Sequence, residues 1–213
     1  MNARELLKSL RSGGEISRRR IYNDVPWEDT SELMPRVQHE RAADALSVRM
    51  RAVRAIPIVE SRDRPLIDGV PIVRFEKRKW RDFRQATKTA MRFDGLKNAR
   101  DLLTRWERFL EMLALQSGPA IKAHSFGAYQ IMGFNAYRCG FENPGAFLDA
   151  MKTAEGQTTA FIRFVQSSPA LHEALKRENA RQVAYHYNGP AYERNNYHIK
   201  WTAALEASDA ALV

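Results

Sequence analysis

Ala42-Ala43-Asp44-Ala45-Leu46-Ser47-Val48-Arg49-Met50-Arg51-Ala52-Val53-Arg54-Ala55-Ile56-Pro57-Ile58-Val59-Glu60-Ser61 is the stretch from which the fold class is read. Ala42, Ala45, Val48, Ala52 and Ile56 recur at spacings of three and four, the stripe of a helix that buries one face. The spacing predicts a helix over about 37–56. Pro57 has no N–H to give and disturbs the regular hydrogen bonding just ahead of Glu60. After Ser61 the composition changes. Residues 62–74 are rich in Pro, Gly and Asp, and Pro71-Ile72-Val73-Arg74-Phe75-Glu76 reads as extended, so a small β-hairpin or sheet is expected after Glu60.

Outward from this segment the pattern stays helical. Leu102, Leu103, Trp106, Phe109, Leu110 and Leu113 share one side of an expected helix over 99–115. Further helices are expected over 144–151, 156–166, 170–177 and 180–187. Asn143 and Ser168 stand beside prolines as N-caps. Gly189-Pro190 ends the 180–187 helix, and a last one starts near Tyr197. The class is mainly α, an α+β arrangement with one small sheet. Residues 1–36 read as a basic N-terminal arm: a short helix over 4–11, a stop at Ser12-Gly13-Gly14, then Arg18-Arg19-Arg20 and a polar stretch with Pro26 and Pro35. Residues 37–213 form the single globular domain.

Charge narrows the partners. Thirty-four Lys and Arg against 25 Asp and Glu leave a net charge of +9, which draws the chain to polyanions: nucleic acid, anionic lipid or an anionic cell wall. The one cysteine, Cys139, excludes an internal disulfide framework and reads as a packed, inert thiol. No secretory signal is recognisable at the start, and no apolar run approaches the length of a membrane span. His124, His186 and His198 have no metal-ligand spacing, so neither a metal nor another cofactor is expected.

Four segments carry polar chemistry. Ile58-Val59-Glu60-Ser61 ends an apolar helix, where a carboxyl against a hydrophobic wall stays protonated near neutral pH and serves as a general acid. A lone Glu at a helix end is more often a solvated terminus. Phe75-Glu76 supplies a second carboxylate. Ser125-Phe126-Gly127-Ala128-Tyr129-Gln130-Ile131-Met132-Gly133 combines small residues, which let a polymer approach the backbone, with the donor and acceptor atoms of Gln130. Tyr185-His186-Tyr187-Asn188-Gly189-Pro190 places aromatics and an amide at a helix-ending turn, groups suited to sugars. Each alone has a structural reading.

Their order resembles a known family. Goose-type lysozymes and lytic transglycosylases have a Glu-Ser pair ending a helix, then a Gly-Leu-Met-Gln-like segment, then an Ala-Tyr-Asn-like segment, here matched by Glu60-Ser61, residues 127–131 and residues 185–188. The resemblance to the phage-associated N-acetylmuramidases, the endolysins of phages of Gram-negative bacteria, is closer. It covers residues 38–205 and rests on residues 42–61 and 71–76, on the 125–133 segment continued by Phe134-Asn135, and on Tyr187-Asn188-Gly189-Pro190-Ala191-Tyr192. This implies a lysozyme-like fold and cleavage of peptidoglycan at the β-1,4 bond between N-acetylmuramic acid and N-acetylglucosamine. The family's catalytic acid falls on Glu60 and its second acid on Glu76. The cleft would be lined by Ser125, Gly127, Tyr129 and Gln130, with Tyr187 and Asn188 facing the scissile bond. The chain departs from the family where Arg62-Asp63 stands for glycines after Glu-Ser, where Lys77-Arg78 stands for Arg-His after Phe-Glu, and where Phe126 stands for Trp.

In this reading Glu60 protonates the leaving oxygen and water attacks, activated by Glu60, Glu76, Asp63 or Asp68. The expected partner is peptidoglycan, with the anionic outer envelope as a second surface. No nucleic acid partner and no transmembrane segment are expected, and the chain is expected to be a monomer. It would stay in the host cytoplasm until released to the periplasm, or travel with the virion. Two alternatives stay open: a lytic transglycosylase that leaves 1,6-anhydro ends, and a non-catalytic basic module binding wall or nucleic acid, to which Arg18-Arg19-Arg20 points.

Overall fold

The computed structural model describes residues 33–67, 70–100 and 102–210. The short helix expected over 4–11, the Arg18-Arg19-Arg20 run, nearly all of the arm, and Asp68 lie outside the described residues.

Residues 42–61 fall on two helices, α1 (Arg36–Leu46) and α2 (Met50–Ser61). Ser47 takes φ 51° and its N–H caps the carbonyls of Ala43 and Asp44, which ends α1. The expected continuous stripe is therefore corrected. Ala42, Ala52 and Ile56 are buried, but Ala45 is exposed and Val48 half-buried. A spacing of three and four runs across such a break unnoticed, because it tests side-chain direction and not chain continuity. Helix α2 continues through Pro57, whose missing N–H costs one bond to Val53 without ending the helix.

After α2 a hairpin of β1 (Leu66–Ile67) and β2 (Val70–Pro71) pairs antiparallel, Leu66 opposite Pro71. Strand β3 (Val73–Phe75) then joins a different sheet. Its partner is β4 (His124–Phe126), followed by β5 (Ile131–Met132), with Val73 opposite Phe126 and Phe126 opposite Ile131. The segment expected to form an open cleft wall is thus a tight β-turn-β unit. Between β3 and β4 lie α3 (Lys77–Phe83), α4 (Lys88–Met91), α5 (Leu102–Leu115) and α6 (Ser117–Lys122). The short helices α3, α4 and α6 offer no apolar period long enough to read.

The C-terminal half follows the sequence closely: α7 (Pro144–Ala150), α8 (Ala154–Gln166), α9 (Pro169–Lys176), α10 (Ala180–Asn188) and α11 (Tyr197–Ala210). Asn143 and Ser168 cap α7 and α9 through their side chains, as do Thr153 for α8 and Asn179 for α10. Helix α2 lies between α1 and α11, α10 packs on α11, and α8 packs on α1, while α5 and α6 support the sheet. The interior is aromatic: Trp106, Phe109, Phe126 and Phe147 run edge to face at centroid separations of 5.2, 5.3 and 6.0 Å. Buried His124, held at about pKa 4 by desolvation, packs against Phe109 at 4.9 Å. Cys139 is fully buried and its thiol is pushed up to about 12, an unreactive state.

Candidate active site

Glu60 occupies the last turn of α2, beside a crevice lined by Ile56, Val59, Val183, Tyr187, Tyr197 and Trp201. Three helices meet there: α2, α10 and α11. Burial raises the pKa of the Glu60 carboxyl, because these apolar walls withhold the water that would solvate its charge. Smaller opposing effects come from the Asn188 side chain and from the positive charges of Arg74 and Lys200. The Asn188 Nδ2 donates to Glu60 Oε1 at 2.7 Å. Asn188 is the final residue of α10, and Gly189, at φ 84°, lets the helix stop there in a conformation a Cβ would resist.

Glu76 is placed differently. It is exposed, precedes α3 as its N-cap residue, and makes no side-chain capping bond. Partial desolvation still raises its pKa, opposed by Arg74. Arg74 projects from the exposed side of β3, opposite Ser125, and its charge lies near enough to the Tyr197 phenol to favour the ionised form. Its charge acts on both carboxyls, while burial first and then the two carboxyls raise the Tyr197 pKa. The structure therefore brings Glu60, Asn188 and Tyr187 to one crevice and couples Glu76 to it through Arg74 and Tyr197. Sequence reasoning missed Arg74, Tyr197, Lys200 and Trp201. The positions of the last three on α11 share a face at i, i+3 and i+4, and Arg74 is the polar middle of an alternating Val-Arg-Phe strand. Those signals were present but carry no chemistry until the helices meet.

The 125–130 segment requires a correction. Gly127, at φ 71°, makes room for protein: an added Cβ would lie 2.4 Å from Gln157 Oε1. That oxygen accepts from the Ala128 N–H at 2.8 Å, so a buried core amide and not a glycan occupies the space. Tyr129 is 1% exposed and stacks on Phe161 at 4.3 Å, leaving no face for a sugar. Gln130 spends its donors internally, giving Nε2 to the carbonyls of Gly127 (2.8 Å) and Ile72 (3.2 Å), while Oε1 accepts from buried Ser125 Oγ at 2.9 Å. Tyr187 donates its hydroxyl to the Tyr129 carbonyl at 2.6 Å, and burial with the nearby Glu60 charge holds that phenol protonated. Residues 125–130 thus form an internally bonded turn that Tyr187, a crevice residue of α10, contacts through its hydroxyl. Asp63, a candidate for activating water, is turned into the interior and pairs with His39.

A mainly helical fold with a small sheet, and a half-buried carboxyl of raised pKa at the junction of three helices, fit a lysozyme-like glycoside hydrolase. The N-acetylmuramidase family matches residues 49–209, more than half of the chain, and the chain belongs to that family of peptidoglycan-degrading enzymes. It is also similar to the crystal structure of the Burkholderia AP3 phage endolysin, with 30% sequence identity and a TM-score of 0.70, over 86% of this chain and 74% of that one. No curated protein sequence matches. Among the described residues no helix is long and apolar enough to cross a membrane, and no cluster of His, Cys, Asp and Glu is arranged to hold a metal.

Proposed function

We propose that the chain hydrolyses the β-1,4 bond between N-acetylmuramic acid and N-acetylglucosamine, with Glu60 as general acid. The observation that carries this reading is the state of Glu60: a carboxyl whose protonated form is favoured by burial and whose Oε1 is held by Asn188. A carboxyl that holds its proton more tightly than a free glutamate is what departure of a sugar oxygen needs. As the bond breaks, Glu60 becomes a carboxylate. Asn188 Nδ2, Arg74 and Lys200 then stabilise the new charge, so the groups that oppose protonation in the resting enzyme assist the step itself. Water adds to the oxocarbenium-like sugar and returns a proton to Glu60. Glu76, exposed and influenced by Arg74, steers that water or the sugar's positive charge and is secondary to Glu60. Peptidoglycan is the substrate, and the enzyme reaches it after release to the periplasm or from the virion.

Mass spectrometry of digested glycan tests the reaction. Hydrolysis adds one water per cleavage, whereas 1,6-anhydro ends assign the chain to the transglycosylases. A zymogram on purified peptidoglycan separates both from a binding module, which would clear nothing.

A further inference from the structure

The backbone just after Glu60 is unusual. Arg62 and Asp63 follow each other at φ 61° and 61°, the left-handed region that is costly for any residue with a Cβ. Together they close α2: the Arg62 N–H donates to the Ile58 carbonyl at 3.1 Å and the Asp63 N–H to the Pro57 carbonyl at 2.9 Å. Ser61 Oγ also donates to the Pro57 carbonyl, at 3.0 Å. This closure matters more than in an ordinary helix, because Pro57 has no N–H for Val53 and the last turn starts one bond short.

The Asp63 side chain holds the turn from inside. It is 4% exposed and lies 3.1 Å from Nε2 of His39, which is 2% exposed and belongs to α1. Arg54 of α2 approaches at 3.8 Å, and the Asp63 carbonyl accepts from the Met34 N–H at 2.6 Å. A carboxylate this deep is retained only when paired. Neither His39 nor Asp63 lines the crevice of Glu60, so the pair does not touch the reacting atoms. Only Ser61 and Arg62 separate Asp63 from the acid.

We propose that Asp63, through its buried pair with His39 and Arg54, is a positioning residue for Glu60. The pair ties the left-handed turn to α1, keeps the last turn of α2 from fraying, and so holds the Glu60 carboxyl in its crevice against Asn188. This rests on Glu60 being the general acid. A displacement of about 1 Å at a reacting group can cost on the order of a hundredfold in rate.

The test uses the full chain carrying Asp63→Asn, His39→Gln or both, acting on soluble peptidoglycan fragments well below the melting temperature of each variant. Asn tolerates the left-handed conformation, so Asp63→Asn removes the charge and spares the backbone. His39→Gln is the milder change, leaving Arg54 beside Asp63. Each single variant is expected to lose about tenfold or more in kcat with KM little changed. As Glu60 drifts toward water its raised pKa relaxes, so the basic limb of the pH profile moves to lower pH. The double variant, in which two amides hydrogen-bond without a buried charge, is expected to recover much of the loss. A kcat within about twofold of the parent in the folded single variants overturns the proposal. So does a loss with the basic limb unmoved, or a double variant no better than the worse single. Coupling between the two substitutions is also read from thermal unfolding, which needs no turnover. Glu60→Gln tests the underlying reading separately, so the two can fail independently.

Discussion

The end of α2 and the start of α3 each present a glutamate, and their surroundings act on the same carboxyl to different degrees. Glu60 sits in the last turn of its helix, where the unpaired carbonyls carry partial negative charge and disfavour a carboxylate. Glu76 stands at a helix start, where unpaired N–H groups favour one. Desolvation raises both, but Glu60 is enclosed by three helices, whereas Glu76 is open to solvent. The proposed division of one residue type into an acid and an auxiliary rests on this difference: enclosure and helix polarity act together at Glu60 and against each other at Glu76.

The sharpest way to break this contrast is to neutralise each partner. Glu60→Gln keeps the shape and removes the proton, so kcat should fall by roughly a thousandfold or more while the fold persists. Near-native turnover on purified peptidoglycan would remove Glu60 from the mechanism. Asn188→Leu should lower kcat by about tenfold, the scale of one charge-assisted hydrogen bond. Because Asn188 favours the ionised acid, its loss should also move the basic limb to higher pH; a shift to lower pH contradicts the role given to the amide. Glu76→Gln should cost only a few-fold, on the order of 1 kcal/mol in transition-state stabilisation. If it proves more damaging than Glu60→Gln, the two roles are reversed.

Stability supplies a quieter test of the same comparison. A carboxyl whose folded pKa is raised binds its proton more tightly in the native state. Stability linked to it is therefore full below the unfolded value of 4.5 and declines as pH rises through the folded pKa. Glu60 thus costs stability near neutral pH. Calorimetry of Glu60→Gln should show a higher melting temperature than the parent near neutrality and a smaller difference below 4.5. Glu76→Gln should show little of this, since solvent screens an exposed group. An equal gain in both variants would erase the distinction.

What the sequence revealed, and what it hid, follows the same physics. The end of a long apolar helix marked Glu60, and Asn188 was legible as a polar residue before a helix-stopping glycine, because caps and stripes are local properties. The C-terminal helices and the caps Asn143 and Ser168 were readable for that reason. The break at Ser47 was not, since the apolar period continues across it. The 125–130 segment misled: Gly127 and Gln130 suggested an open cleft, yet the partner of that glycine is Gln157, 30 residues on and unsignalled by any local pattern. Arg74 and Tyr197 acquire meaning only where β3 meets α11, a long-range encounter that spacing does not encode.

Glu60 serves as the proposed proton donor only if its surroundings hold the proton. NMR titration of the Glu60 side-chain carboxyl in the full chain, set against the pH profile of kcat/KM, tests it most directly. The expected midpoint lies above 4.5, coincides with the basic limb of the profile and disappears from the spectrum in Glu60→Gln. A midpoint at or below 4.5, or a basic limb that tracks a different group, would contradict it.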